Sequence, residues 1–441
     1  MFILPEGTTL TPEILAGFIQ QHKRECVRYT RLKDMYDGKH PILVQASKPK
    51  YKPDNRLVVN FAKYIVDTFN GYFMGNPVKV LHVNDEIAKY LKFLDRYNNQ
   101  DDNNAELSKM CSIFGHAFEL LYMDERSNVG IAPLSPQNCF LIYDESIVEN
   151  PIYGVHYYTN TKGLTEGTFS DDEEITYFCD DGDIRFLHKK PQRFLAVPII
   201  EYVENAERIG AFESVETLIN AYNKAISEKA NDVDYYADAY LSILGAVLDE
   251  KTLQELRDNR IINIEGEIGS TDKVKVEFLS KPESDGTQEN LINRLEQLVF
   301  QISLVANIGD ENFGGSSGVS LRYKLQGMSN LAMTKERKFT AALNNRYKTL
   351  ANIPSSPLDG EWQNVTYKFT RNYPANLLEE SQIATNLWGI VSEETLYQNV
   401  ISAVDDVKTE LQRIAAARES GSGQYVRALK KLSGEEVANN A

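Results

Sequence analysis

The residues whose types and spacing come closest to a chemical motif form the glycine-rich run Gly309–Ser316. This run has the glycine spacing of a phosphate-binding loop, G-x-x-x-x-G-K-[ST]. However, Gly315 stands where that motif has its lysine, and an apolar-striped helix rather than a strand precedes the run. Without the lysine there is no cation for the β- and γ-phosphates, so nucleotide binding is disfavoured. The run instead predicts a flexible loop, with a role of its own or as a plain connector.

Two acidic clusters are the other candidates for chemistry, since carboxylates bind metal ions. They lie at residues 171–174 and at Asp180, Asp181 and Asp183. Adjacent side chains in a turn point apart, and no histidine stands at ligand spacing, so a solvated hairpin edge is favoured. Ser47–Lys50 matches S-x-x-K in spelling only, because it lies in a proline-rich loop where the helix that this motif needs cannot form. The sequence predicts no catalytic residues, no metal site and no cofactor.

The charge of the whole chain sets limits on its partners. The 441 residues carry a formal charge of −16, which argues against general affinity for nucleic acid, because binding phosphates requires clustered Lys and Arg. An acidic surface does not exclude a protein through which DNA moves, since such a surface repels the duplex and lets the DNA slide. The four cysteines lie far apart and are expected to be reduced thiols.

A basic island interrupts this acidity. Between Gly318 and Leu350 there are seven basic residues and one acid, Glu336, which gives the segment a charge of about +6. The candidate contact residues are Arg322, Lys324, Lys335, Arg337 and Lys338. They either pair with acidic neighbours, such as the helix predicted at 212–240 in the same or another subunit, or contact DNA phosphates. The sequence leaves both readings open.

The helix that precedes the glycine-rich loop carries an apolar stripe at alternating spacings of four and three. Such spacing places the side chains on one helix face and predicts a seam that packs against a partner helix or a neighbouring subunit. The seam residues are Leu291, Leu295, Leu298, Ile302 and Val305.

The elements around these segments predict an α+β fold that is mainly helical. Thr11 and Pro12 mark a helix start and Gly38 its end. Short β-branched and aromatic runs between turn residues make residues 78–200 largely β, interrupted by helical patches. Further predicted helices are 57–75, 86–97, 105–114, 212–240, 250–258, 287–307, 319–352, 376–388 and 392–418. Further predicted strands are 241–248, 260–266, 275–280 and 363–371.

In this order the elements resemble the portal proteins of tailed bacteriophages, of the type found in long-tailed siphophages and related prophages. The resemblance covers residues 11–418 and is most specific in Asn55–Val78, Phe212–Leu241 and Ser317–Met328. None of these stretches is a catalytic motif. Many positions of low individual specificity, occurring in the right order, carry the resemblance.

The resemblance implies a division of the chain. Residues 1–211 would be the wing, 212–240 and 285–306 the stem helices, and 241–284 the clip. Residues 320–375 would return to the wing, followed by a helical crown at 376–420 and a flexible tail at 421–441. Residues 307–319 would form the tunnel loop, with these residues facing DNA: Asp310, Glu311, Asn312, Phe313, Gly314, Gly315, Ser316 and Ser317.

The resemblance also implies partners and a place. Such proteins form a ring of twelve copies at one capsid vertex, through which double-stranded DNA is packaged and ejected. The large terminase subunit and then a head-completion adaptor dock on the ring, and major capsid and scaffolding proteins surround it. The protein would belong to the virion, and to the host cytoplasm during assembly, without enzymatic activity or a membrane. The alternatives are a metal-dependent nucleic-acid enzyme or another ring-forming structural protein of the virion.

Overall fold

The computed structural model describes residues 2–49, 52–237, 241–244, 275–278, 285–309, 318–372, 377–401, 404 and 407–419. The chain divides into two compact units, residues 1–372 and residues 373–441. No helix in these described parts has the length and apolarity needed to span a membrane.

The first unit combines eight described helices with four small sheets. The helices are α1 (Pro12–Tyr36), α2 (Phe61–Met74), α3 (Asp85–Tyr97), α4 (Gln100–Phe114), α5 (Glu216–Ala237), α6 (Asp285–Ser303), α7 (Gly318–Lys324) and α8 (Gln326–Ala351). The strands are β1 (Phe2–Ile3), β2 (Lys79–Leu81), β3 (His116–Met123), β4 (Val129–Leu134), β5 (Cys139–Tyr143), β6 (Pro151–Thr159), β7 (Thr165–Ser170), β8 (Glu174–Asp180), β9 (Ile184–Pro191), β10 (Ile199–Val203), β11 (Leu241–Leu244), β12 (Lys275–Phe278) and β13 (Thr366–Lys368). The α+β prediction is confirmed.

Helix α1 begins and ends where the sequence predicts. The Thr11 side chain accepts a hydrogen bond from the amide of Ile14, and Pro12 occupies the first helical turn. Beyond the helix, Gly38 takes a positive φ of 84°, a conformation that glycine adopts without strain. The apolar residues Leu15 and Ile19 turn toward the six-stranded sheet and are buried there.

The six-stranded sheet has the order β1-β5-β6-β7-β8-β9 and consists mostly of antiparallel neighbours. A three-stranded sheet, β10-β3-β4, lies next to the main core. The prediction of a β-rich region at 78–200 is confirmed, including the helical patches, which extend over 85–97 and 100–114. The predicted strand at 363–371 shrinks to β13, which pairs with β2.

The main core is formed by α2, α4, α5, α6 and α8 against the three-stranded sheet. Fully buried aromatic residues fill its centre, among them Phe69, Phe73, Tyr202 and Phe339. Helix α2 is shorter than predicted because residues 57–60 are not helical and Asn60 caps the helix by accepting from the amide of Lys63. The predicted strand at 260–266 and helix at 250–258 lie outside the described residues.

The second unit contains three described helices, α9 (Leu377–Leu387), α10 (Glu393–Asn399) and α11 (Val407–Glu419). Ser392 caps α10 by accepting from the amide of Thr395, as the sequence predicts. The single helix predicted at 392–418 is two helices, since α10 ends at Asn399. Leu396 is buried in this unit, and Arg418 pairs with Glu393.

Candidate functional site

Helices α5 and α6 run antiparallel and form the frame around the predicted site. Near the end of α5, Lys229 pairs with Glu289, and the Gln288 amide donates to Asp232 at 2.8 Å, so the C-terminal part of α5 meets the start of α6. Ile219 of α5 and Val299 of α6 are fully buried in the same core cluster. This pair therefore packs as a unit through its own apolar contacts.

The predicted seam on α6 divides between two faces. Leu295 packs against the core, but Leu291 and Ile302 are 54 % and 47 % exposed. Val305 is buried but lies beyond the end of α6, which stops at Ser303 rather than at the predicted residue 307. The buried residues on the core side of α6 are instead Ile292 and Val299. Each of them directly follows a predicted seam residue, Leu291 or Leu298, in the sequence. Consequently α6 has an inner apolar face, which packs in this chain, and an outer face with Leu291, Leu298 and Ile302, which is largely uncovered.

An extended segment, residues 55–59, lies along α5 and is held by polar side chains of that helix. The amides of Asn55, Leu57 and Val59 donate to Asn231 Oδ1, Ser227 Oγ and Asn223 Oδ1 at 2.6, 2.9 and 2.8 Å. Alternate residues of an extended chain thus meet side chains spaced by one helical turn. These bonds satisfy backbone groups that would otherwise be unpaired and fix α5 against the start of α2.

The residues predicted to form the tunnel loop, Asp310–Ser317, lie outside the described residues, but the chain is described on both sides of them. Before them, the Tyr64 hydroxyl of α2 donates to the Ala306 carbonyl at 3.2 Å and accepts from the Ile308 amide at 2.8 Å. After them, the chain enters α7 at Gly318. The loop therefore starts from a segment that is tied to α2 and leads into a helix.

The basic residues of α7 and α8 do not share one environment. Arg322, Lys324 and Arg337 are exposed and Lys338 is half-buried, so these four remain candidates for DNA or inter-subunit contacts. The predicted contact at Lys335 is wrong, because its side chain is 1 % exposed and its ammonium lies in the core. Arg346, also counted in the basic island, is fully buried.

Lys335 is held by a complete set of acceptors in the core. Its Nζ lies 2.7 Å from Glu204 Oε2 and donates to the Ser108 carbonyl and to Ser112 Oγ at 2.9 and 2.8 Å. The ring of Phe69 lies 5.2 Å from the same ammonium. Burial raises the pKa of Glu204, and the ammonium of Lys335 opposes that shift. This cluster joins α8 to α4 and to the end of β10.

Arg346 makes the second buried ion pair of α8. Its Nε and Nη2 donate to the two oxygens of Glu119 on β3 at 2.7 and 2.5 Å, and Nη2 also donates to Asn104 Oδ1 at 2.8 Å. Burial alone would lower the pKa of Arg346, but the adjacent Glu119 carboxylate raises it well above its ordinary value. Lys335 and Arg346 are eleven residues apart, about three helical turns, and therefore lie on the same face of α8.

The sequence carried a signal for both buried cations. Helical periodicity places Lys335 and Arg346 on the face that also bears Met328, Ala332 and Phe339, all of which are buried. The net charge of the segment does not distinguish these two buried cations from the exposed basic residues of the same segment.

A third ionic cluster fixes the connection between β10 and α5. Arg208 donates to both oxygens of Glu201 at 2.7 Å, and His116 Nδ1 lies 2.7 Å from the same carboxylate. Burial alone would raise the pKa of Glu201, but the bonds from Arg208 and His116 hold it well below its ordinary value. Arg28 of α1 also donates to the Arg208 carbonyl at 2.9 Å. These contacts hold the chain just before the predicted stem helix against the β-rich part of the unit.

The acidic clusters occupy the turns on either side of β8, as expected of a hairpin edge. Asp171 accepts from the amides of Glu173 and Glu174, and Asp181 pairs with Arg185. Within the described part of the chain, no group of three or more His, Cys, Asp or Glu side chains is arranged to hold a metal ion.

Comparison with known proteins identifies the class to which this arrangement belongs. The family model described as "Phage portal protein, SPP1 Gp6-like" matches residues 16–424. The chain therefore belongs to the phage portal protein family, as the resemblance of its elements predicted.

A curated relative and two solved structures are similar to the chain. The portal protein of Clostridium phage phiCD119 is 21 % identical over 413 residues, covering 85 % of this chain and 89 % of that protein. The neck of an empty GTA particle, computed with C6 symmetry, matches with a TM-score of 0.49 and 12 % identity, covering 83 % of this chain and 91 % of that one. The neck of a native GTA particle, computed with C12 symmetry, matches with a TM-score of 0.45 and 11 % identity, covering 84 % and 92 %.

Proposed function

We propose that this portal protein assembles as a ring of twelve copies at one vertex of a phage capsid and forms the channel for double-stranded DNA during packaging and ejection. Membership of the portal family over residues 16–424 supports this role. The family consists of structural components of the virion, so we propose no catalytic activity. On this proposal the protein is part of the virion and occupies the host cytoplasm during assembly.

The single structural observation that carries the ring is the outer face of α6. Leu291 and Ile302 are half-exposed on a helix whose opposite face already packs against α5. Burying such side chains against a neighbouring subunit removes apolar surface from water, at roughly 25 cal/mol per Å². Such an apolar surface, on a helix that is already paired with α5, is suited to contact with further copies of the chain arranged around an axis.

The stem, clip and tunnel loop are proposed with the bounds that the resemblance to portal proteins implies. The stem helices are residues 212–240 and 285–306, the clip is 241–284 and the tunnel loop is 307–319. Within the described part of the clip, β11 and β12 form a two-stranded antiparallel pair. A two-stranded hairpin is marginally stable alone, which favours pairing of this region with neighbouring subunits or with docked partners.

The remaining divisions follow the same scheme. Residues 1–211 are proposed as the wing, and residues 320–375 as the long helix and strand that return to it. Residues 376–420 are proposed as the crown and 421–441 as a tail. The clip is the proposed docking site of the large terminase subunit and later of the head-completion adaptor, while wing and crown face the major capsid and scaffolding proteins.

Electrostatics support passage of DNA rather than tight binding. Each phosphate that a basic residue neutralises adds a salt-dependent contact that must be broken before DNA moves. With Lys335 and Arg346 buried against carboxylates, the exposed basic set on α7 and the first half of α8 reduces to Arg322, Lys324 and Arg337, with Lys338 half-buried. Such a set, on a chain of charge −16, fits weak contact with DNA or pairing with an acidic neighbouring subunit.

The test is assembly followed by DNA translocation. The purified chain is imaged by electron microscopy, and the same gene is used to complement a portal-deficient phage in a packaging assay. Closed rings with a central hole, together with restored packaging, are the expected result. A discrete monomer whose DNA cleavage is stimulated by metal would contradict the proposal.

A further inference from the structure

A turn of the six-stranded sheet presents two aliphatic side chains that no residue in the described part of the chain covers. Ile147 is 103 % and Val148 is 76 % exposed, and both lie between β5 and β6. The exposed acids Glu145 and Glu149 flank them. We call residues 144–150 the knob. An apolar tip with two acids beside it has the composition of a contact surface rather than of a solvated turn.

The knob is held in shape by polar contacts that do not involve its tip. Asp144 Oδ1 accepts from Ser146 Oγ at 2.6 Å and from the Asn150 amide at 2.9 Å, and the Glu149 amide donates to the Ser146 carbonyl at 3.0 Å. These bonds close the turn. Ile147 and Val148 are therefore presented by an ordered turn, to which their own side chains contribute no packing.

A complementary surface lies elsewhere in the same unit. An open groove of about 650 Å³ runs between α1 and the 3₁₀ turn Pro41–Val44. Its apolar lining includes Val27 and Val44, which are 71 % and 86 % exposed. We call this surface the groove; it is lined by Lys23, Cys26, Val27, Thr30, Arg31, Asp34, Met35, Lys39, Pro41 and Val44.

The rim of the groove is basic. Lys23, Arg31 and Lys39 face one acid, Asp34. Arg31 lies 3.2 Å from Glu216, and Lys39 lies 3.2 Å from Asp34, yet their side chains stay 53 % and 69 % exposed. Ion pairs this exposed are weak, so both cations can also meet an incoming carboxylate.

We propose that the knob of one subunit inserts into the groove of the next copy of this chain. This inference rests on the proposed ring and names one of its contacts. The apolar tip matches the apolar lining, and the acids beside the tip match the basic rim, which favours this pairing over two like surfaces meeting. Because knob and groove are different surfaces, the contact is head-to-tail, and repetition of a head-to-tail contact generates a ring when the rotation between copies closes.

Crosslinking tests the contact and its direction. Val148→Cys and Val44→Cys are introduced into one chain, and the assembled protein is treated with a short bismaleimide. The double variant is expected to give a ladder of covalent multimers. With Cys26 replaced by Ser in both, an equal mixture of the two single variants is expected to stop at dimers, because each subunit then has a thiol on only one side of the proposed contact. Val148→Cys combined with Leu187→Cys, which is 58 % exposed on β9, is the matched control, and Val148→Cys alone reports any reaction with native Cys26.

Substitutions that reverse a charge test the same contact without a crosslinking reagent. Glu149→Lys and Lys39→Glu are each expected to raise the subunit concentration at half-assembly by about two- to fivefold, and the double variant to restore it. Ile147→Asp with Val148→Asp is expected to raise it at least about tenfold. Circular dichroism of each variant checks that the fold is retained.

The outcomes separate this inference from the proposed function. Wild-type rings without the ladder, and with unchanged assembly of the charge variants, would overturn the knob-and-groove contact while the ring stands. A wild-type chain that forms no ring would overturn both. Intact rings from the knob variants that fail only to join the capsid would assign the knob to another virion protein and also reject a second copy as its occupant.

Discussion

The guanidinium of Arg346 and the carboxylate of Glu119 form a two-bond ion pair in which both side chains are fully buried. This pair joins the C-terminal half of α8 to the central strand of the three-stranded sheet. Lys335, three turns earlier, makes a second buried pair with Glu204. Together the two pairs fix the rotation and register of α8, the long helix that follows the proposed tunnel loop and α7.

The first prediction concerns this pair. Arg346→Met leaves Glu119 buried without its partner, and we expect a loss of about 3–5 kcal/mol in the free energy of unfolding. Replacing both residues by Met removes the unpaired charge, so the double variant should recover much of that loss. Urea denaturation measures both values, with Lys348→Met on the exposed side of α8 as the control. Equal losses in the single and double variants would show that the pair is not coupled in this way.

The second prediction is a pH dependence at Asp95 of α3. Burial raises the pKa of its carboxyl to about 6, with Arg346 opposing the shift and Asp101 adding to it. Since the unfolded-state pKa is lower, about 4, the native state binds more protons than the unfolded state between about pH 4 and pH 6, and this contribution to stability is lost as the pH rises through that window. Asp95→Asn should therefore gain about 1–3 kcal/mol at pH 8 and nothing at pH 3.

The measurement is the free energy of unfolding from urea titrations between pH 3 and pH 8. Asp172→Asn, in the exposed turn before β8, provides the control substitution. If Asp95→Asn and Asp172→Asn change stability equally at every pH, the burial of Asp95 does not matter for folding.

The third prediction separates the two apolar faces of α6. Ile302→Asp places a charge on the outer face, where the proposed ring would bury it unpaired, so rings should be lost while the subunit stays folded. Leu295→Asp places the charge on the core side and should lower the thermal midpoint of the subunit as well. The combination of both should abolish rings. Size-exclusion chromatography and thermal melts measure these effects, with Gln301→Asp, also exposed on α6, as the control. Normal rings from Ile302→Asp would place the subunit interface elsewhere.

The fourth prediction concerns the proposed tunnel loop. Shortening Asp310–Ser317 should leave ring assembly intact, because α5, α6 and α8 share a core cluster built from described residues on either side of that segment. DNA packaging or retention should fall, since the loop is proposed to contact the duplex in the channel. Particle yield and encapsidated DNA, compared with a set of Gly and Ser substitutions that keep the length, are the readouts. A shortened chain that cannot assemble would give the loop a structural role instead.

The fifth prediction concerns the extended segment along α5. Ser227→Ala removes the hydroxyl that accepts from the Leu57 amide at 2.9 Å. The amide is then left without that partner in a part-buried position, and we expect a loss of about 1–3 kcal/mol in the free energy of unfolding. Ser329→Ala on α8, a half-buried serine, is the comparison. A loss no larger than that of the comparison would show that the backbone of the segment finds another partner.

Much of the fold was predictable because local signals set it. Thr11, Pro12 and Gly38 mark the ends of α1 by their own chemistry, and short aromatic runs between turns mark the strands of the six-stranded sheet. The early part of the segment predicted as the helix 57–75 is not helical, because two side chains of α5, far away in sequence, accept hydrogen bonds from the amides of Leu57 and Val59. No local pattern records such a contact.

The candidate site was predictable only in part, for a similar reason. Charge along α7 and α8 indicated a basic island, but the burial of Lys335 and Arg346 depends on Glu204 and Glu119, which come from distant strands and loops. On α6, apolar spacing indicated a seam, yet Leu291 and Ile302 face outward because Ile292 and Val299 fill the side toward α5. Helical periodicity predicts that an apolar face exists more reliably than it predicts the direction in which that face points.

Electron microscopy of the purified full-length chain, with rotational averaging of single particles, tests the central claim most directly. The expected result is closed rings whose central hole passes a DNA duplex, built from subunits that repeat around one axis. A population of single, compact particles with no opening, at concentrations where other portal rings would assemble, would contradict it.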